Sequence, residues 1–342
     1  MKGIHGGDIY RNQVVMDFSV NLNPLGMPKA VAEALHEAVE KCGSYPDMAA
    51  DKLKSTVSSL LLVPKEYMLF GNGASELFMA IVHALKPQKI IIPIPSFYGY
   101  EYAAGAVDEE TVYYPLEKEK DYLPGDDFLK VLAEDVDMLF LANPNNPTGR
   151  LMSQAYLTKL LNVCKQNGIM VVLDECFIEF CDEALSMISE LEAYDNLLLV
   201  RAFTKIYAVP GVRLGYLICS DTLLLNKVRR HLPEWNLSTF AQEAGCVCIN
   251  QSEFVAETVG YVKRERQFLT DNLKRMGVQV FQSEANFILV YSEKPLYQGL
   301  LKQGILIRDC ENFRGLSKGY YRIAVKSRKD NEALIKAIGE LQ

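Results

Sequence analysis

The sequence predicts an α/β protein with two parts: a large domain whose mostly parallel sheet is flanked by helices, and a smaller α+β C-terminal domain. Two observations carry this. Between residues 68 and 220, short apolar runs of strand length alternate with stretches of helical period, the pattern of strands joined by crossover helices. After Leu232-Pro233-Glu234-Trp235-Asn236 the alternation gives way to long helical patterns and then to shorter strands and helices. A chain of 342 residues, 49% of them hydrophobic, can bury two cores rather than one. The reading divides it into an N-terminal arm over 1–28 that joins the small domain and the active site, a large domain over 29–235 and a small domain over 236–342.

The segment up to Pro28 is rich in Gly and Asn and has no sustained period, so it reads as an ordered arm. Pro28 at an early helical position and Gly43 as the stop bound a first helix, with Val31, Leu35, Ala38 and Val39 on one face. Ser44-Tyr45-Pro46-Asp47 forms a turn, and a second helix covers 51–60. Strands are expected at 89–93, 111–114, 137–142, 169–173, 196–200 and 214–219, and helices at 75–85, 126–133 and 153–167. Helices then extend to about Met276 and stop at Gly277. Strands at 279–281 and 286–291, a helix at 295–303, strands at 305–308 and 320–325 and a helix from Asp330 complete the chain. In a parallel sheet of this kind, ligands sit beyond the carboxyl ends of the strands, so chemistry is expected in the loops that follow them.

A net charge of −7 without any basic run argues against a nucleic-acid surface. The first residues lack the apolar core of a signal peptide, and no stretch approaches the roughly 20 apolar residues of a membrane span. The protein reads as cytoplasmic, with no membrane partner. Its eight cysteines are scattered through apolar segments, as reduced core residues would be. Cys246-Val247-Cys248 lacks the paired spacing of a zinc site, and no metal is expected.

The chemistry centres on Arg201-Ala202-Phe203-Thr204-Lys205-Ile206, between two apolar runs. A lysine between Phe203 and Ile206 can be desolvated and lose its proton, as imine formation requires. A surface lysine in a loop is the ordinary alternative. Gly71-Asn72-Gly73-Ala74-Ser75 opens a helix whose free N–H groups can seat an anion, or it is a plain glycine turn with a capping serine. Glu76 stands where a dinucleotide fingerprint needs a third glycine, which disfavours a nicotinamide fold. Asp174 ends an apolar strand, where a buried carboxylate needs a partner. Alternation along Tyr320-Tyr321-Arg322-Ile323-Ala324-Val325 turns Arg322 to the face opposite Tyr321 and Ile323, where it presents its guanidinium to a carboxylate or to solvent.

Taken in order, Gly71 to Glu76, Asn143-Pro144-Asn145-Asn146-Pro147-Thr148-Gly149, Asp174-Glu175-Cys176-Phe177 and the Lys205 stretch resemble the fold-type I pyridoxal-phosphate enzymes, the aspartate-aminotransferase-like fold, over nearly the whole chain. The resemblance implies pyridoxal 5'-phosphate as cofactor, bound covalently by Lys205 and paired through its ring nitrogen with Asp174. It implies Ala74, Ser75, Thr204 and Arg213 around the cofactor phosphate, Phe97 against the ring and Asn146 on the phenolic oxygen. Ala202 and Phe177 depart from the family, which commonly carries a hydroxyl side chain at each place. Tyr45 resembles the tyrosine that reaches the cofactor phosphate of the other subunit in a homodimer; a turn tyrosine packed on its own chain is the alternative. Arg322 would hold the substrate carboxylate.

His5-Gly6-Gly7, Asp17-Phe18-Ser19 through Asn23-Pro24-Leu25-Gly26, Phe177, Trp235-Asn236 and Arg308 through Leu316 are similar to the histidinol-phosphate aminotransferase branch and, within it, to the threonine-phosphate decarboxylases of cobalamin biosynthesis. That resemblance implies a small phosphorylated amino compound as substrate, with His5, Asn23, Arg308 and Arg314 toward its phosphate. It leaves decarboxylation and amino transfer both open. A non-catalytic, cofactor-binding regulatory module is a third reading, disfavoured because no basic helix-turn-helix pattern accompanies it.

Overall fold

The computed structural model describes residues 5–107, 109–132, 135–181 and 185–341. Its centre is a seven-stranded sheet, running in space through Met68–Gly71, Gly215–Ile218, Leu197–Ala202, Met170–Asp174, Met138–Ala142, Lys89–Ile94 and Glu110–Pro115. The five strands from Leu197–Ala202 to Glu110–Pro115 are parallel, and Gly215–Ile218 runs antiparallel to both its neighbours. The inner strands are apolar on both faces because helices cover both. Val171, Leu173, Leu197 and Leu199 face one core with the helix Gln154–Gln166, while Val172, Leu198 and Val200 face another with the helices Ala74–Leu85 and Tyr98–Ala104.

All six strands expected in this region form, within two residues at each end. The strand Met68–Gly71 and the helix Tyr98–Ala104 are additions. The helix expected at 126–133 is seen as Asp126–Val131, and Ala133 lies outside the described residues.

A four-stranded antiparallel sheet follows, in the order Arg308–Asp309, Tyr320–Ala324, Phe287–Tyr291, Gln279–Val280. The strand expected at 305–308 divides: Ile305–Leu306 pairs in parallel with Met16–Asp17 of the N-terminal segment, and Arg308–Asp309 turns into the four-stranded sheet. The arm is stitched further by Phe18 N–H donating to the Leu306 carbonyl (2.7 Å) and Ala324 N–H donating to the Phe18 carbonyl (2.9 Å). Among the described residues, no helix is long and apolar enough to cross a membrane.

A buried ion pair fixes the strand ends that carry the site. Arg201 donates from Nε and Nη2 to Glu175 Oε2 (3.1 and 3.0 Å), and both side chains are buried. Ser186 Oγ (2.7 Å) and Met187 N–H (2.8 Å) also donate to this carboxylate, so its lone pairs are used. Removing one member of such a pair strands the other charge, at a cost of about 3–5 kcal/mol, whereas replacing both with apolar groups is far less harmful. Arg201→Met should therefore lower the urea midpoint strongly, and adding Glu175→Leu should recover most of the loss. A single variant as stable as the parent contradicts this account.

Candidate active site

Parallel pairing puts Asp174 beside Val200, so the carboxyl ends of two central strands deliver Asp174 and the turn Phe203–Ile206 side by side. They open on a cavity of about 400 Å³. At one end lies the start of the helix Ala74–Leu85, which has no side-chain cap, so its first N–H groups remain available to an anion. Ala74, Ser75, Thr204, Ala202 and Arg213 line this end. Gly73, at φ +80°, leaves the room that Arg213 fills: a Cβ there would lie 2.5 Å from Arg213 Nη2. Glu76 accepts from Asn72 N–H (2.6 Å) and from Asn236 Nδ2 (2.9 Å), which holds the glycine loop in place.

Asp174 is buried in the wall of the same cavity. Tyr100 donates its hydroxyl to Oδ2 (2.5 Å), and Cys176 N–H donates to Oδ1 (2.9 Å). Burial pushes the carboxyl upward, against these hydrogen bonds and the field of Lys205. The Lys205 amine is lowered to about 8, by desolvation first and then by Arg322 and Arg213, with Cys176 and Asp174 opposing. A large neutral fraction is thus present near pH 8, as a nucleophilic or proton-carrying amine needs.

The small sheet and the arm build a further part of the cavity wall. Arg308 and Arg322 are register partners on adjacent antiparallel strands, and both are buried. Arg322 donates from Nη1 to Asn146 Oδ1 and from Nη2 to the Ser19 carbonyl (2.8 Å). Arg308 donates to the Asp309 carbonyl (2.6 Å) and to Asn312 Oδ1 (2.8 Å), with Phe313 beneath its guanidinium at 5.1 Å. His5 stands 5.8 Å from Phe97 and 6.0 Å from Tyr98, ring to ring. Burial, then Arg308, Arg322 and Lys205, lower its pKa, which favours the neutral imidazole. Phe97, Asn146 and Phe177 complete the walls, with no hydroxyl at Phe177, whose ring packs edge-on against Phe287.

One expectation changes here, that for Asn23, and the structure also shows where Arg314 and Tyr45 lie. Asn23 does not line the cavity: its Nδ2 donates to the Ile206 carbonyl (2.6 Å) and Thr258 Oγ1 (2.8 Å), and its Oδ1 accepts from Leu25 N–H (2.9 Å). It holds the lysine turn from behind. Asn21, two residues earlier, is the amide that lines the cavity, and its buried Oδ1 has no hydrogen-bond partner among the described residues. Arg314 lies at the rim, its guanidinium paired with Glu101 (2.6 Å) and stacked on Tyr113 at 4.2 Å, so a second anion would compete with Glu101 for it. Tyr45 is exposed and lies against Trp235 (5.1 Å), outside its own chain's cavity. Besides Asn21, sequence reasoning missed Tyr100, Cys176, Ser19 and Tyr98.

The residues fit pyridoxal phosphate. An uncapped helix start and Arg213 suit its phosphate, a buried carboxylate suits its ring nitrogen, and a desolvated lysine suits its aldehyde.

Residues 13–338 match the family described as aminotransferase class I and II. A threonine-phosphate decarboxylase of Salmonella typhimurium is 34% identical over 346 residues, 98% of this chain and 95% of its own. A histidinol-phosphate aminotransferase of Desulfitobacterium hafniense is also 34% identical, over 333 residues, 94% of this chain and 90% of its own. The crystal structure of the histidinol-phosphate aminotransferase from Clostridium acetobutylicum superposes with a TM-score of 0.90 at 31% identity, covering 96% of this chain and 99% of that one.

Lys205→Ala should abolish the borohydride-reducible visible absorbance that pyridoxal phosphate gives with the parent protein. In the parent, the rate of cofactor uptake by apoenzyme should rise with pH through about 8 rather than through the ordinary lysine value of 10.5, because only the neutral amine attacks. A reducible absorbance retained in the variant would assign the anchor to another lysine.

Proposed function

The chain belongs to the class I and II aminotransferase family and is a pyridoxal-phosphate-dependent enzyme, and from that premise we propose that it decarboxylates an O-phosphorylated amino acid, L-threonine O-3-phosphate, to aminopropanol phosphate in cobalamin biosynthesis. The observation that carries the reading is the opposed pair Arg308 and Arg322, buried face to face on one cavity wall. Like charges directly opposite on neighbouring strands repel, and burial deprives them of water. A substrate with two anions relieves both penalties: its carboxylate at Arg322, its phosphate at Arg308 with His5 and Asn21 beside it.

Pyridoxal phosphate, when bound, supplies a ring that accepts the electron pair released as a bond to the substrate α-carbon breaks. The protein's own residues do the rest. Ala74, Ser75, Thr204 and Arg213 would hold the cofactor phosphate, with Ala202 contributing no hydroxyl. Phe97 would lie against the ring, Asn146 would donate to its phenolic oxygen, and Asp174 would hold a negative charge toward its nitrogen. The two arginines orient the substrate, and their spacing sets which α-carbon bond is presented for cleavage. In decarboxylation Lys205 returns a proton to the α-carbon after carbon dioxide leaves; in amino transfer it removes one there.

The second reading, amino transfer from histidinol phosphate or a related amino acid to 2-oxoglutarate, is favoured by the D. hafniense relative, whose percentage identity to this chain equals that of the S. typhimurium decarboxylase over a slightly shorter match. The same reading of the site makes the active unit a cytoplasmic homodimer, in which the exposed Tyr45 enters the partner's cavity, with the arm, large domain and small domain divided at residues 28 and 235.

Threonine phosphate should give carbon dioxide and aminopropanol phosphate, with the cofactor left as the aldehyde. Conversion of histidinol phosphate coupled to 2-oxoglutarate, without release of carbon dioxide from threonine phosphate, would establish the aminotransferase instead. Asp174→Asn should cut turnover by orders of magnitude while the cofactor stays bound through its phosphate, since removing one member of a buried charge pair costs about 3–5 kcal/mol. Near-normal turnover would remove Asp174 from the mechanism.

A further inference from the structure

The Tyr100 hydroxyl is buried at the site without any part in the chemistry described so far. Tyr100 is 1% exposed, stacked on Phe140 (5.4 Å, 15° between planes) and met edge-on by Phe78 at 5.2 Å and Phe97 at 5.6 Å. The three rings fix the phenol in one orientation. Its hydroxyl emerges from this cage at Asp174 Oδ2, as donor, over 2.5 Å. We propose that Tyr100 is a positioning residue for the cofactor, whose hydrogen bond keeps the Asp174 carboxylate ionised and aimed at the pyridine nitrogen; the inference rests on the role of Asp174 proposed above.

A carboxylate removed from water drifts toward its neutral form unless donors or cations favour the charged one, and burial pushes Asp174 in that direction. A neutral acid would pair poorly with a protonated ring nitrogen. The groups facing Asp174 are Tyr100, Cys176 and Lys205. Cys176 N–H serves Oδ1 and the Cys176 thiol also hydrogen-bonds the carboxylate, Tyr100 serves Oδ2, and Lys205 is the facing cation. The phenol keeps its proton, because burial and the neighbouring carboxylate both raise its pKa far above the ordinary tyrosine value. A phenol held at this distance from a carboxylate makes a charge-assisted hydrogen bond, stronger than one between neutral groups. Phe97, which caps the same helix and accepts from Tyr100 N–H at 3.2 Å, lines the cofactor cavity, so one helix start sets both the ring wall and the carboxylate.

The test compares apoenzyme affinity for pyridoxal phosphate with that for its 1-deaza analogue, in which C–H replaces the ring nitrogen. The parent should prefer the natural cofactor. In Tyr100→Phe, which keeps the ring in its cage, that preference should fall by about tenfold, as loss of a hydrogen bond to a charged group implies, through weaker binding of the natural cofactor alone. An undiminished preference, or equal losses for both ligands, would mean that Tyr100 only fills space, and would overturn the inference while leaving Asp174 in its role. No preference in the parent would overturn the role of Asp174 itself. Tyr100→3-fluorotyrosine retains the ring and the bond with a more acidic hydroxyl, and gives an independent reading: the preference should rise, and a constant or lower value counts against the inference.

Discussion

Arg308 and Arg322 face each other across adjacent antiparallel strands, and Lys205 and Arg213 add two further cationic side chains to the same cavity. Among the described residues that line the cavity, one carboxylate, Asp174, is set against them. Charges of one sign gathered out of water repel one another, and each lowers the proton affinity of the next: the positive field of Arg322 helps bring the Lys205 amine to about 8. On the function proposed above, anions of the cofactor and substrate would offset this repulsion. The same electrostatics therefore activate the lysine and select the ligands.

The fold meets that demand by joining two sheets with different grammars. Parallel strands end together, so Asp174 and the Lys205 turn arrive at one level from separate parts of the chain. Antiparallel strands place residues directly opposite, so two arginines 14 positions apart in sequence become neighbours. The N-terminal arm links these parts. Its strand Met16–Asp17 is pinned to Ile305–Leu306, and Ser19 accepts from Arg322 through its carbonyl while its hydroxyl accepts from Gly7 N–H at 2.7 Å. Gly6 is required by that contact, since a Cβ would come within 2.2 Å of the Ser19 carbonyl oxygen. The opening His-Gly-Gly motif thus folds His5 over the cavity by backbone packing.

Features governed by local pattern were readable in the sequence. Apolar runs gave all six expected strands of the large sheet, and a carboxylate directly after one of them marked Asp174. Lys205 was distinguished by apolar neighbours that could desolvate it. Features governed by register and distant contacts were not readable. Asn21 and Asn23 lie in an aperiodic segment, and nothing local tells which amide turns inward; the Thr258 hydroxyl and Ile206 carbonyl that claim Asn23 come from far along the chain. Tyr100 sits in an aromatic-rich segment with weak helical pattern, and its partner is 74 residues away. The opposition of Arg308 and Arg322 depends on a strand pairing that composition does not encode. The short strand Met68–Gly71 has too few residues for alternation to show.

The account's central claim is that the opposed arginines take one anion each. It is tested most directly by comparing the KM for threonine phosphate and the inhibition constants of threonine and aminopropanol phosphate between the holoenzyme and its Arg308→Gln and Arg322→Gln variants. Arg308→Gln should weaken the two phosphorylated ligands about tenfold or more and leave threonine unaffected, while Arg322→Gln should weaken the two ligands with a carboxylate and leave aminopropanol phosphate unaffected, each loss being that of a charge-assisted hydrogen bond. Either variant weakening all three ligands to the same degree would contradict the claim.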